Sequence, residues 1–188
     1  MKIQTHHLDS EYYITSLPNF ETFKKKLLKI TDKFDSNNIN IDNELIDYSD
    51  WNIPYEDKPY SDLVVEYLTP YLELMAKKLN CKVYQVNEFW FQRYVGNNFQ
   101  NWHNHVGTMY TNILFIDLKD TSYATQFFDS YNNQLIQTPK LKEGDIITIP
   151  AHVPHRSIKI ENGTKAVMSF NITYFDIKQD EINKRIKE

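Results

Sequence analysis

The sequence predicts a mainly β fold behind N-terminal helices (α+β): a double-stranded β-helix, or jelly roll, packed against those helices. Three observations predict it. Two helix-period apolar stripes occupy the first part of the chain. After residue 82 the sequence changes to short runs rich in Val, Ile, Thr, Tyr and Phe, separated by turn residues. Finally, a His-x-His pair and a distant third histidine ask for strands that return to one mouth. The 188 residues suit a single domain. A helical support region covers about 1–82, the jelly-roll core about 83–175 and a terminal helix about 176–188.

Pro18 and Asn19 precede Phe20, Phe23, Leu27, Ile30 and Phe34, a 3.6-residue stripe with Asn19 as its natural N-cap. Ser61 opens a second helix with Val64, Leu68, Leu72, Met75 and Leu79 on one face. Pro70 is expected to kink or split it and Asn80 to end it. Both stripes read as packing surfaces for a sheet. The β half follows as VYQVNEFWFQRYV, FQNWHNH, TMYTNILFIDL, TQFF, DIITI, HRSIKI and KAVMSFNITYF. Turns such as GNN, YNNQ and ENG separate them, the cadence of an antiparallel sandwich or barrel. Along the first run Trp90, Gln92 and Tyr94 share one strand face and Phe89, Phe91 and Arg93 the other; one of these faces should line the barrel. QDEINKRIKE reads as a solvated terminal helix.

Composition excludes several classes. Hydrophobic residues make up 41% and aromatics 14%, too apolar for a disordered chain. The net charge of −4, from 21 basic and 25 acidic residues, argues against binding a phosphate backbone. The lone Cys81 rules out an intrachain disulfide and reads as a half-buried thiol after a helix. No apolar run approaches a membrane span, and MKIQTHHLDSEYY lacks an apolar signal core, so the chain is expected in the cytoplasm. The sequons at Asn162 and Asn171 are then expected to carry no sugar.

The chemistry-bearing stretch is Trp102-His103-Asn104-His105. In a strand, residues i and i+2 point to one face, so two imidazoles one pleat apart can bind one metal ion together. The third donor must come from another strand. His155 is the best candidate, in GDIITIPAHVPHRS, where Gly144-Asp145 turns the chain into a strand, Pro150 ends it and Pro154 fixes the approach to His155. His152, three residues earlier, competes with it. His6-His7 reads as surface.

With these residues in hand, FWFQRYVGNNFQNWHNH, EGDIITIPAHVPHRS and VMSFN resemble the iron(II)- and 2-oxoglutarate-dependent oxygenases, especially small bacterial, phage and prolyl 4-hydroxylase-like members. The resemblance covers Glu88 to Asn171, and ordinary cupins share part of it. It implies Fe(II) as metal, 2-oxoglutarate as small-molecule cosubstrate, and hydroxylation of a prime substrate that nothing in the sequence identifies. It places iron ligands at His103 and His155. The family's acidic ligand falls on position 105, which is His105 here. Three neutral imidazoles leave more positive charge on the metal than two imidazoles and a carboxylate. Alternatively His105 is not a ligand, and water or substrate takes its place. A basic residue about ten positions past the late histidine anchors the far carboxylate of 2-oxoglutarate in the family; here that is Lys165, a point charge where arginine is usual. Tyr94 corresponds to a tyrosine lining the cosubstrate pocket. Asn171, in the S-F-N stretch, bonds either the cosubstrate or a neighbouring strand, and Arg156 is equally ambiguous.

Two other readings stay open: a three-histidine cupin-type metalloenzyme that does not use 2-oxoglutarate, for which Lys165 is dispensable, and a non-catalytic jelly-roll binding or virion-associated module. Nothing in the sequence fixes an oligomeric state.

Overall fold

The computed structural model describes residues 11–41 and 44–185; His6-His7 lies outside them. The elements run β1 (Tyr13–Ser16), α1 (Phe20–Thr31), β2 (Ile39–Ile41), β3 (Glu44–Ile46), β4 (Tyr48–Ser49), α2 (Ser61–Lys78), β5 (Cys81–Val95), β6 (Gln100–His103) and β7 (Tyr110–Leu118). Then come β8 (Gln126–Asp129), β9 (Gln134–Leu135), β10 (Asp145–Pro150), β11 (His155–Ser157), β12 (Thr164–Ile177) and α3 (Gln179–Arg185). A six-stranded sheet in the order β1-β10-β7-β12-β5-β4 packs against a four-stranded sheet, β6-β11-β8-β9, and every strand pair is antiparallel. This is the jelly roll the sequence predicts.

The sheet alternates its side chains between two cores, as the period-2 pattern demands. Phe89, Phe91, Leu114, Ile116, Met168 and Phe170 point outward to Phe23, Leu27, Val64, Leu68, Tyr71 and Leu72 of the helices. Tyr94, Ile113, Phe115, Ile147 and Val167 point inward to Phe127, Leu141 and Ile160. Trp90, Gln92 and Tyr94 therefore form the barrel-facing side of β5, and Arg93, on the other side, pairs with Asp47 at 2.6 Å. Burying one such Leu, Ile or Phe is worth about 1.5–3 kcal/mol, so the helices act as a lid on the outer face of the large sheet.

Local features follow the sequence with some differences. Asn19 is the N-cap of α1, but its backbone is left-handed (φ 61°) and its side chain makes no cap bond; its carbonyl instead accepts from Thr22 and Phe23. α2 is a single helix through Pro70 rather than two, because Pro70 lies on the exposed face, where the freed carbonyl one turn earlier faces water. Asn80, left-handed at φ 54°, ends α2 as expected. The N-terminal part is less helical than predicted: β1 zips onto β10, and β4 onto β5. β1 and β4 are too short to carry a period of their own and form because β10 and β5 offer an open edge.

Gly144 shows why one turn needs glycine. Its φ is +83°, and a Cβ there would sit 2.8 Å from the Phe20 ring. Asp145, next to it, accepts from Ser16 Oγ and from the Lys142 backbone, which anchors the start of β10.

Candidate metal centre

His103 ends β6 and His155 opens β11, and the antiparallel register sets them directly opposite each other. Their ring centroids are 4.3 Å apart; His105 lies 5.0 Å from His155 and 5.5 Å from His103. One nitrogen from each ring lies within 4.8 Å of the others, and this is the one group of its kind among the described residues. The register slips between His155 and Ser157: Ser157 opposes Gln100 rather than Asn101. That extra residue in β6 lets Gln100 and His103, three apart, both face the barrel.

His105 is not on a strand. It follows the end of β6, and its backbone N–H donates to Ala151 O at 2.9 Å. Convergence of the two imidazoles therefore comes from a turn and its hydrogen bonds, not from the pleat that the His-x-His spacing suggests. His152 is exposed and stands outside the group.

All three rings are held by their Nδ1 atoms. His103 Nδ1–H donates to Asn101 O at 2.8 Å, His155 Nδ1–H to Val153 O at 3.1 Å, and His105 Nδ1–H to Asn171 Oδ1 at 2.7 Å. A proton on Nδ1 leaves the lone pair on Nε2, the tautomer a metal ligand needs. Burial, and after it the charges of His103 and His105, pushes His155 down to about 3. Burial likewise lowers His105, against a raising contribution from its bond to Asn171. Both rings are thus neutral imidazoles at neutral pH, which is how they ligate.

The histidines open onto a pocket whose lining includes Trp90, Tyr94, Thr125, His155, Ser157 and Lys165. Lys165 is 1% exposed. Its Nζ donates to Ser157 Oγ at 2.9 Å and approaches Thr125 Oγ1 at 3.5 Å, and it stands 5.2 Å from the centre of the Tyr94 ring. Among the described residues no carboxylate comes within ion-pair distance of it. Burial alone pushes its ammonium down to about 7. The Tyr94 hydroxyl donates to Gln100 Oε1 at 3.0 Å. Two more polar groups on the lining, Trp90 Nε1–H and the Thr111 hydroxyl, are buried without a hydrogen-bond partner.

Asn171 is placed at the histidine end of β12 rather than beside Lys165. Both ends of its amide are taken: Oδ1 by His105, and Nδ2, which donates to Glu88 Oε1 at 2.5 Å. Arg156 turns towards the rim, its Nε donating to Gln126 at 2.9 Å and its guanidinium 4.5 Å from the Trp102 ring. Cys81 is a buried free thiol at the start of β5. Sequence reasoning missed Glu88, Ser157 and Thr125. Ser157 was within reach, two residues after His155 on the same strand face; Glu88 likewise precedes Trp90 by two.

No protein-family model and no curated protein matches this sequence. Solved structures do match. An oxidoreductase of the 2OG-Fe(II) oxygenase family from Burkholderia pseudomallei superposes with a TM-score of 0.65 at 9% identity, over 85% of each chain. A Pseudomonas putida prolyl-4-hydroxylase gives 0.59 at 12% identity, over 86% of this chain and 92% of that one. A Trichoplax adhaerens prolyl hydroxylase, solved with a hypoxia inducible factor oxygen degradation domain peptide, gives 0.58 at 12% identity, over 91% and 86%. The chain has the jelly-roll fold of the 2OG-Fe(II) oxygenases and carries a three-histidine group. Among the described residues no helix is long and apolar enough to cross a membrane.

Proposed function

We propose that this chain is an iron(II)- and 2-oxoglutarate-dependent oxygenase in which Nε2 of His103, His105 and His155 holds the metal and Lys165 anchors the cosubstrate. One observation carries the reading: three converging imidazoles and a buried ammonium without a carboxylate partner line the same pocket. An isolated buried ammonium is costly, and the far carboxylate of 2-oxoglutarate supplies its missing charge.

The residues present fit both groups. The three Nε2 lone pairs suit a borderline divalent metal such as Fe(II) and leave coordination positions open. Bound Fe(II) supplies the redox chemistry, oxidative decarboxylation of 2-oxoglutarate to succinate coupled to hydroxylation of a substrate C–H bond. The protein does the rest. Ser157 and Thr125 hold the Lys165 ammonium in place, and the Tyr94 ring flanks it. The Trp90 indole and Thr111 hydroxyl offer hydrogen bonds to ligand oxygens. Ile113 and Val167 supply the apolar part of an otherwise polar lining. The prime substrate is one that approaches the open end of the barrel beside the histidines.

The all-histidine ligand set favours a second reading, a cupin-type metalloenzyme independent of 2-oxoglutarate. The two separate in one experiment. Iron-loaded protein is incubated with 2-oxoglutarate and O₂ and assayed for succinate, and 2-oxoglutarate binding is measured by calorimetry for the wild type and Lys165→Met. The first reading expects binding that depends on Lys165, with slow succinate release. Metal binding with no 2-oxoglutarate binding by either protein supports the second.

A further inference from the structure

We propose that Asn171 and Glu88 are positioning residues for His105, an inference that rests on His105 being one of the metal's ligands. Asn171 fixes the tautomer and aim of the ring. Glu88 holds Asn171 and lends the centre the negative charge its ligand set lacks.

His105 needs outside help more than its two companions. His103 and His155 sit on strands facing each other across a ladder, and each bonds a main-chain carbonyl two residues before it. Those carbonyls move with the ring. His105 lies beyond the strand, and its ring is bonded to a side chain 66 positions away. The Trp90 ring lies 5.6 Å from it at 31°, which limits tilting but does not choose the protonated nitrogen. That choice falls to Asn171. An amide is symmetrical enough to flip, and a flipped Asn171 would offer N–H to Nδ1 and force the proton onto Nε2, which destroys the ligand. Glu88 removes that freedom. Its carboxylate only accepts, so Nδ2 of Asn171 must point at Glu88 and Oδ1 at His105.

The backbone is built to make this contact. Asn171 opposes Glu88 in the β12–β5 ladder, and the register slips at once, Ile172 opposing Val86. Asn87 is the extra residue, held by Thr108 and Thr173 hydroxyls. Bulges of this kind re-aim the side chains beside them. Glu88 stands at the exposed rim, so its field at the metal is partly screened; the buried amide between them, 2% exposed, carries its polarisation inward.

The test uses the full chain and Co(II) as probe, with His105→Ala as reference. Asn171→Ala should bind Co(II) ten- to a hundredfold more weakly, with an altered ligand-field spectrum. Glu88→Gln, a rim substitution that leaves the core untouched, should weaken Co(II) less and raise the Fe(III)/Fe(II) potential of the iron-loaded protein. The exchange Asn171→Asp with Glu88→Gln restores an acceptor facing His105 and a donor facing position 171, and should recover the wild-type spectrum. The proposal is overturned if Asn171→Ala and Glu88→Gln match the wild type in affinity, spectrum and potential while His105→Ala loses metal. It is also overturned if His105→Ala keeps wild-type affinity, and then the three-histidine reading goes with it.

Discussion

Replacing Lys165 by methionine should make the metal-free protein more stable while removing 2-oxoglutarate binding. The ammonium is fully enclosed, and burial takes it from 10.5 down to about 7. At about 1.4 kcal/mol per pH unit that displacement amounts to a cost of about 5 kcal/mol, of which about 4 is felt at pH 7. Methionine keeps the length and fills the same space. It forfeits the bonds to Ser157 and Thr125, leaving their hydroxyls unpaired at a cost of about 1–3 kcal/mol. The net gain is about 2 kcal/mol, or roughly 4–8 °C in melting temperature for a domain of this size. The pH dependence separates this cause from general repacking. The folded chain holds fewer protons than the unfolded one between about pH 7 and 10.5, so wild-type stability rises with pH across that window, and the variant's does not rise on this account. Thermal melts of both proteins, metal-free, at pH 7 and pH 9 decide it. The variant should melt higher at pH 7 and lose its lead by pH 9. A variant that melts lower at pH 7, by an amount that does not change with pH, refutes the argument.

Other outcomes follow from the same geometry. Because anion binding needs the charged form of Lys165, affinity for 2-oxoglutarate should fall by up to about tenfold per pH unit above pH 7, measured by calorimetry on Co(II)-loaded protein. Gly144→Ala forces an L side chain into φ +83° and against the Phe20 ring, and should cost about 1–3 kcal/mol in urea unfolding. Asp50 is buried between the Tyr60 hydroxyl at 2.5 Å, the Phe91 N–H at 2.8 Å and the Lys58 ammonium at 3.6 Å. Asp50→Ala leaves Lys58 buried without its counter-charge and should cost about 3–5 kcal/mol, with Asp50→Asn milder, by the same unfolding measurement.

Much of this molecule was legible in its residues, and what was hidden was hidden for definable reasons. The long strands β5, β7 and β12 announce themselves by alternation, and the same alternation sorts Trp90, Gln92 and Tyr94 to the barrel from Phe89 and Phe91 to the helices. The helices are visible through their apolar stripes because each covers one sheet face. β1 and β4 carry no pattern, since their pairing is decided by the edges of β10 and β5 that they meet. The histidine group was readable as a set of donors but not as a geometry: His105 leaves its strand, and Gln100 and His103 share a face only because β6 takes on an extra residue. Asn171 and Glu88 meet through ladder register, which a single sequence does not encode locally. Their partnership becomes visible only once the strands are paired.

The central claim is that three imidazoles from two distant stretches close on one cation. Its most direct test is a crystal of the Co(II)-loaded chain measured at the cobalt absorption edge. The expected result is one anomalous peak about 2.0–2.2 Å from Nε2 of each of His103, His105 and His155. A peak bound by His152, or one from which the His105 ring has turned away, would contradict it.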